Sequence, residues 1–239
     1  QRAAALAPND DGVQRKLIDV YLAAGRPEAA LEKLEARLAA RPLDQGLIAA
    51  QWMAWRALGD RRAEALYDYE TMISASIIDV PPGWSKLEDY LADLAQALRE
   101  LHQLRTHPLD QSLRHGTQTS ANLLRSENPA IGAFRTAIDG PIRRHMALIG
   151  QGSDRLRARN TGDYAVSGMW SVRLKSDGFH VDHVHPMGWL SSACYITLPE
   201  AVDDGGRQGW IKFGEPGVPM SPPMAPAHFV KTEPGMLVL

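Results

Sequence analysis

A spacing of 34 residues recurs through the first third of the chain. The pairs separated by it are Pro8 and Pro42, Tyr21 and Trp55, Ala23 and Ala57, and Gly25 and Gly59. A fixed period of this length predicts stacked units, because one short unit cannot bury its apolar face alone. Beyond the glycine, the two units stay aligned only if the second unit carries one extra residue.

Each unit has the pattern of a helical hairpin. A helical apolar pattern runs into a glycine turn, AAGRPEAA in the first unit and ALGDRRAEA in the second, and a second helix follows. With Pro8 and Pro42 as closing prolines, residues 1–77 resemble tetratricopeptide repeats, although Ile77 stands where a proline would close the second unit. The resemblance implies a concave face for a peptide or protein partner. The alternative is that the repeats only support the next domain.

After this first domain, residues 1–79, we expect a helical lead-in over residues 80–158. The prolines of VPPG, residues 80–83, break any helix, and five leucines at helical spacing then predict an amphipathic helix: Leu87, Leu91, Leu94, Leu98 and Leu101. Asn128 and Pro129 predict a second helix, as its cap and first residue. We expect this helix to bend or stop at Gly140 and Pro141. The polar run HPLDQSLRHGTQT between the helices is either an ordered loop or part of a site.

The pattern changes to short strands in residues 159–239. Runs rich in β-branched and aromatic residues are separated by turns rich in glycine and proline: YAVSGMWSVRLK, LSSACYITLP, WIKFG and MLVL. Such runs without helical segments between them predict an antiparallel sandwich or barrel. The fold class is therefore α+β. Both chain ends interrupt an element, so we expect an internal segment of a longer protein, with the last strands of the barrel missing.

The stretch GFHVDHVHPMGW, residues 178–189, concentrates potential metal ligands. It holds His180, Asp182, His183 and His185 within six positions. Two residues with one residue between them on a strand project to the same face, so the candidate pairs are His180 with Asp182 and His183 with His185. A regular strand would direct only one pair inward. The first pair has the His-x-carboxylate form of non-haem iron sites. A histidine-rich loop without a metal is the third reading.

The run GFHVDHVHPMGWLSSACYITLP, followed by GWIKFGEP and EPGMLVL, resembles the 2-oxoglutarate/Fe(II) oxygenase family whose members often carry tetratricopeptide repeats upstream. HPLDQSLRHGTQT is similar to a motif that precedes the catalytic barrel in that family. The resemblance implies a double-stranded β-helix, of jelly-roll or cupin-like form, with Fe(II) as cofactor and 2-oxoglutarate as cosubstrate. It implies a dioxygenase, most plausibly a hydroxylase of unknown substrate. It also favours His183 and His185 as the metal ligands over the other pair.

The same resemblance implies a distal histidine and an arginine that binds the C5 carboxylate of 2-oxoglutarate. We expect both beyond Leu239. His228 is a candidate for the distal ligand, but it precedes the EPG turn, which favours a structural role. Arg173 and Arg207 are available cations whose spacing does not distinguish them from ordinary surface charges.

Ser191 and Tyr195 are the candidate cosubstrate-binding residues. They lie an even number of positions apart, so they share a face, together with Thr197, if the strand is unbroken. Lys212 is a further candidate for the barrel lining. For Tyr195, packing in the core is the alternative to contact with the cosubstrate.

Composition limits the other classes of function. The chain has 26 basic and 28 acidic residues, a formal charge of −2, which argues against nucleic acid as a partner. Its single cysteine, Cys194, fits a reducing, cytoplasmic location, and no apolar run reaches membrane-spanning length.

Two rival readings stay open at this point. A metal-dependent cupin enzyme shares the barrel and the His-x-His pair, but its signature requires a glutamate four or five residues later, where this chain has Trp189 and Leu190. The other rival is a non-catalytic protein-interaction module built from repeats and a cupin-like barrel.

Overall fold

The structure, a computed structural model, describes residues 2–103, 106 and 111–239, without the side chains of Ala3 and Ala4. The α-helices lie between residues 2 and 149, and most of the short strands follow them in small antiparallel sheets. This mixture of N-terminal helices and later strands agrees with the expected α+β class. The tetratricopeptide identity of the helices and the double-stranded β-helix stay predictions.

Short helices open the chain. They are α1 (Arg2–Leu6), α2 (Asp11–Ala23), α3 (Pro27–Ala40), α4 (Gln45–Ala57), α5 (Arg62–Leu66) and α6 (Tyr69–Met72). Asp10 and Asp44 cap α2 and α4, and their carboxylates accept hydrogen bonds from the backbone N–H groups of Val13 and Leu47. Each cap satisfies a backbone donor that the first helical turn leaves free. The caps repeat the 34-residue spacing seen in the sequence.

The two glycine turns have the same conformation. Gly25 and Gly59 both have a φ of 65°, a left-handed conformation that glycine adopts without steric cost. In each unit the next backbone N–H bonds to the carbonyl oxygen of the aromatic residue before the glycine: Arg26 to Tyr21, and Asp60 to Trp55, both at 2.9 Å. The predicted turns are therefore confirmed as local structure.

The second unit departs from the expected pattern after its turn. Its second helix is only the five-residue α5, and residues 75–77 form a strand, β1 (Ala75–Ile77), instead of closing a repeat. Ile77, which stands where a proline would close the second unit, therefore belongs to a strand. The physical reason is tertiary, because β1 pairs antiparallel with the final strand of the described chain.

Helices α7 (Leu87–Leu101) and α8 (Pro129–Ile149) confirm the two predicted in the middle of the chain. The Asn128 side chain accepts hydrogen bonds from the N–H groups of Ala130 and Ile131, as expected of a helix cap. Helix α8 continues through Gly140 and Pro141, so the expected interruption there is wrong, whereas the alternative, a bend, stays a prediction.

A remote backbone group explains the continuity of α8. Pro141 has no N–H, so the carbonyl oxygen of Ala137 lacks its usual partner four residues on. The backbone N–H of Asp79 donates to that oxygen at 2.9 Å. The segment after β1 therefore satisfies the acceptor that the proline leaves free, and it crosses α8 where Gly140 has no side chain.

Within the residues that the structure describes, the strands form three small antiparallel sheets. After β1 they are β2 (Leu113–Gln118), β3 (Val172–His180), β4 (Ala193–Tyr195), β5 (Ile211–Phe213), β6 (His228–Val230) and β7 (Met236–Val238). One sheet has the order β1-β7-β4, and the others pair β2 with β3 and β5 with β6. The runs WIKFG and MLVL are confirmed as strands, but the first run is shifted, because β3 begins at Val172 and extends to His180.

Buried apolar side chains form two clusters. One belongs to α2–α4: Ile18, Leu22, Ala30, Leu34, Leu38, Leu47, Ile48, Ala50 and Ala54. The other joins α7 and α8 to the sheet through Leu237 of β7, and its largest fully buried members include Tyr90, Leu94 and Ile131. Because β1 pairs with β7, the backbone also links the two halves of the chain. The boundary between residues 1–79 and 80–239 stays a prediction.

No helix in the described parts of the chain combines the length and apolar character that crossing a bilayer requires.

Candidate functional site

The histidine-rich stretch lies where β3 ends. His180 is the last residue of that strand, and Val181 extends the pairing by one hydrogen bond, from its N–H to the carbonyl oxygen of Ser112 at 2.9 Å. Residues 181–192 then run without strand structure. The rule that alternate residues share a face therefore does not apply to His183 and His185, which are positioned by a loop.

The loop nevertheless brings the second pair of histidines together. The rings of His183 and His185 have centroids 5.0 Å apart and planes at 75°. Because a metal-bound imidazole nitrogen lies about 2.1 Å from its ion, two imidazoles that share an ion have centroids roughly 4.5–5.5 Å apart. The separation of this pair therefore suits one shared ion.

A backbone carbonyl determines the proton position on His183. Its Nδ1 lies 2.8 Å from the carbonyl oxygen of Val181, and a carbonyl oxygen can only accept a hydrogen bond. The proton is therefore on Nδ1, and in the neutral ring Nε2 carries the free lone pair. A metal-binding imidazole usually donates a hydrogen bond from the ring nitrogen that does not bind the metal. That bond orients the ring and makes the free nitrogen more basic.

His180 and His185 complete a row of three rings. The ring of His180 lies 5.9 Å from that of His183, and Trp170 lies 5.8 Å from His185. Burial lowers the pKa of His180, and the neighbouring His183 and His185 lower it further. Burial also lowers the pKa of His185, with a smaller contribution from His183. Both rings are therefore neutral at pH 7, the form that binds metal ions.

His180 and Asp182, the other candidate pair, each contact a different residue. Nδ1 of His180 lies 2.9 Å from the hydroxyl of Ser112, whereas Asp182 lies 3.3 Å from Nζ of Lys212. Lys212 also pairs with Glu215. Asp182 therefore belongs to a charge cluster with Lys212 and Glu215, whereas His180 contacts Ser112 and the ring of His183, although both residues line the same groove.

Three metal-binding side chains are not assembled here. Among the residues that the structure describes, no group of three or more histidine, cysteine, aspartate or glutamate side chains could hold a metal ion. His183 and His185 are both exposed side chains. The assignment of the ligands stays a prediction.

Ser191 and Tyr195, the predicted cosubstrate contacts, lie on different kinds of structure. Tyr195 ends β4 and pairs with Met236, whereas Ser191 is exposed and precedes the strand. The argument that they share a face required an unbroken strand, and β4 is too short for it. Burial and then the neighbouring Cys194 raise the pKa of Tyr195 to about 12, so its phenol stays protonated and able to donate.

The candidate distal ligand, His228, and the two available cations, Arg173 and Arg207, have contacts away from the histidine-rich stretch. His228 stacks on Tyr69 with ring centroids 6.2 Å apart and has Nδ1 3.8 Å from the carboxylate of Glu70. Arg207 lies over the ring of Phe229, 4.0 Å from its centroid. The charge of Arg173 lowers the pKa of His102, after the larger effect of burial. The partners in these contacts lie outside the row of His180, His183 and His185.

Sequence reasoning did not identify Ser112 as a partner of His180. The signal was present, because Ser112 belongs to the polar run HPLDQSLRHGTQT, and the run reaches the site through the pairing of β2 with β3. Residues 107–110 of that run lie outside the described residues. Its described part, 111–119, includes a bulge at His115, which has a φ of 52°.

A groove of about 360 Å³ adjoins the charge cluster. On one side it is lined by the end of β3 and the residues after it, Phe179 to Asp182, and on the other by Lys212, Glu215 and apolar residues between Pro216 and Met224. Polar and apolar surface contribute about equally to its walls, and one cation and two carboxylates are among its lining residues.

A comparison with protein families gives one match, to the family described as "Putative 2OG-Fe(II) oxygenase", over residues 168–239. The match begins before β3 and includes all four candidate ligands and Tyr195. It covers less than a third of the chain, and the helices α1–α8 lie outside it. No curated protein matches the chain. No solved structure matches it either.

Proposed function

We propose that this protein is a 2-oxoglutarate-dependent Fe(II) oxygenase, a hydroxylase whose substrate is not assigned. The family match over residues 168–239, with two imidazoles 5.0 Å apart inside it, is the observation that carries the proposal. The helices before residue 168 contribute nothing to this assignment.

The residues present fit the metal that the family implies. Imidazole nitrogen is an accepted ligand of Fe(II), and His183 is held with its Nε2 free by the hydrogen bond to the carbonyl oxygen of Val181. His185 is neutral near pH 7 because its pKa is lowered. In the proposal, His183 and His185 are two of the ligands. His180 supports them as the third ring of the row.

Bound Fe(II) and 2-oxoglutarate would supply the oxidising chemistry needed to hydroxylate a C–H bond. The chain itself supplies orientation. Tyr195 is available to donate a hydrogen bond to a carboxylate oxygen, because its phenol stays protonated up to a pKa of about 12. Ser191 is the second donor in the proposal. The groove beside Asp182 and Lys212 is the position we propose for the substrate.

The test is turnover of 2-oxoglutarate by the full-length protein with Fe(II), O₂ and ascorbate. Succinate and CO₂ should form, and His183→Ala should abolish their release, because the substitution removes a metal ligand. His102→Ala is the matched control, because the ring nitrogens of His102 bond to the hydroxyls of Thr117 and Ser171 instead of contacting the row of imidazoles. Undiminished succinate release by the His183→Ala variant would refute the assignment of His183.

The alternative ligand pair predicts a different outcome. If His180 and Asp182 hold the metal, Asp182→Ala should abolish Fe(II) binding. If the proposal is correct, Asp182→Ala removes no metal ligand, so Fe(II) binding should be retained, whatever the effect on substrate bound in the groove beside Lys212.

A further inference from the structure

The segment between β5 and β6 is a long loop rich in proline, residues 214–227, here called the proline-rich loop. It contains five prolines: Pro216, Pro219, Pro222, Pro223 and Pro226. Proline lacks a backbone N–H, so such a loop cannot hold itself in place with a ladder of backbone hydrogen bonds. Its position depends on contacts with the rest of the molecule.

Those contacts come from the N-terminal helices. Val218 and Met220 pack against the buried cluster of α2–α4, although more than 160 residues separate them from its last member, Ala54. At the turn between α2 and α3, a Cβ added to Gly25 would lie 3.1 Å from the carbonyl oxygen of Ser221. The middle of the loop therefore lies directly on the helices.

Arg56 of α4 holds both ends of the loop. Its Nη1 donates to the carbonyl oxygen of Gly214, and its Nη2 donates to that of Ala225 at 2.8 Å. The guanidinium also lies over the ring of Trp52, 5.2 Å from its centroid. A guanidinium presents its donors in a rigid plane, so one side chain can bind two carbonyl groups in a defined geometry.

Aromatic contacts anchor the strands beside the loop. His228, the first residue of β6, stacks on Tyr69 of α6 and lies 6.3 Å from the ring of Phe213 in β5. Tyr69 in turn contacts Trp52 at 6.4 Å between ring centroids. The base of the hairpin and the loop are therefore attached to the same part of the helical region.

The other side of the proline-rich loop forms a wall of the groove. Pro216, Val218, Met220 and Met224 face the end of β3 across it. Val218 and Met220 thus contribute both to the helical cluster and to the groove lining. A displacement of the loop from the helices would open the groove beside His180 and Asp182.

From these contacts we infer that helices α2–α4 are a docking surface whose occupant is the chain's own proline-rich loop, held by Arg56, and that this docking determines the width of the groove. The inference concerns the N-terminal helices, which the family match does not include, and it is independent of the proposed oxygenase activity. An external partner of this face would have to displace the loop.

The experiment measures the mobility of the loop in the full-length protein with a nitroxide spin label. The label is attached through Ser221→Cys, an exposed position, in a Cys194→Ala background, so the introduced thiol is the single cysteine of the labelled protein. With Arg56 present, the spectrum should be dominated by an immobile component. Arg56→Ala should cause the loss of that component.

Arg62→Ala is the matched control. Arg62 also lies over an aromatic ring of α4, 4.7 Å from the centroid of Trp55, and pairs with Asp60 rather than with the loop. The immobile component should be unchanged in this variant. Because no iron or 2-oxoglutarate is present, the result does not depend on the activity of the protein.

A second variant covers the case in which Arg56→Ala does not fold. Val218→Asp changes the loop instead of the helices, and it should release the loop while the helical circular dichroism stays at the parent level. If the immobile component persists in both Arg56→Ala and Val218→Asp, the inference is wrong.

Discussion

Nδ1 of His145 lies 2.8 Å from the hydroxyl oxygen of Ser74, a contact that joins α8 to the residue before β1. His145 is 2 % exposed. Ser74 also exchanges two backbone hydrogen bonds with Leu239, at 2.9 and 3.1 Å. The histidine therefore lies at the junction of α8 and the sheet that contains β7.

This junction predicts a dependence of stability on pH. Burial lowers the pKa of His145 below its ordinary value of 6.5, so the unfolded chain takes up a proton at a higher pH than the folded protein does. The contribution of His145 to the free energy of unfolding is complete above pH 6.5. It decreases as the pH falls from 6.5 toward the lowered pKa.

The measurement is urea denaturation at several pH values for the parent and for His145→Asn. Asparagine keeps a hydrogen-bonding atom near Ser74 but does not titrate. The free energy of unfolding of the variant should therefore change less between pH 6.5 and 5 than that of the parent. Equal changes in both proteins would show that His145 does not contribute.

A second prediction concerns the start of α8. Asn128→Ala should lower the free energy of unfolding by about 1 kcal/mol, because the backbone N–H groups of Ala130 and Ile131 lose their acceptor. Asn128→Asp retains an acceptor and should stay close to the parent. Chemical denaturation gives both values, and equal losses in the two variants would contradict the capping role.

The local features of the helical region could be predicted from the sequence, whereas features that depend on distant residues could not. The cap at Asn128 and the turns at Gly25 and Gly59 depend on residues close together in the chain, so local patterns identified them. The continuity of α8 could not be predicted, because the partner of the Ala137 carbonyl is Asp79, which is distant in sequence.

The same distinction applies to the candidate site. The four potential ligands of residues 180–185 are visible in the sequence, but the end of β3 at His180 is not, and it removes the alternation on which the ligand argument relied. The contact of Ser112 with His180 depends on the pairing of β2 with β3. The docking of the proline-rich loop depends on Arg56, which lies far from it in the chain.

A third prediction concerns β7, the strand that pairs with β1 on one side and with β4 on the other. Leu237 of β7 is 1 % exposed, and β7 lies between β1 and β4. Leu237→Ala should lower the free energy of unfolding by about 2–5 kcal/mol, because it leaves a cavity against α7 and α8. Leu148→Ala, at a position that is 58 % exposed, is the matched control.

Urea denaturation of both variants provides the comparison. The control should stay within about 0.5 kcal/mol of the parent, since exposed apolar residues contribute little to stability. Equal effects of the two substitutions would mean that β7 is not part of the core in solution.

The most direct measurement of the central claim is a crystal structure of the full-length protein loaded with Fe(II), with the anomalous signal of iron used to locate the ion. The account predicts a single strong peak about 2.1 Å from Nε2 of His183 and from a ring nitrogen of His185. A peak bound by His180 and Asp182, with both His183 and His185 free of metal, would contradict it.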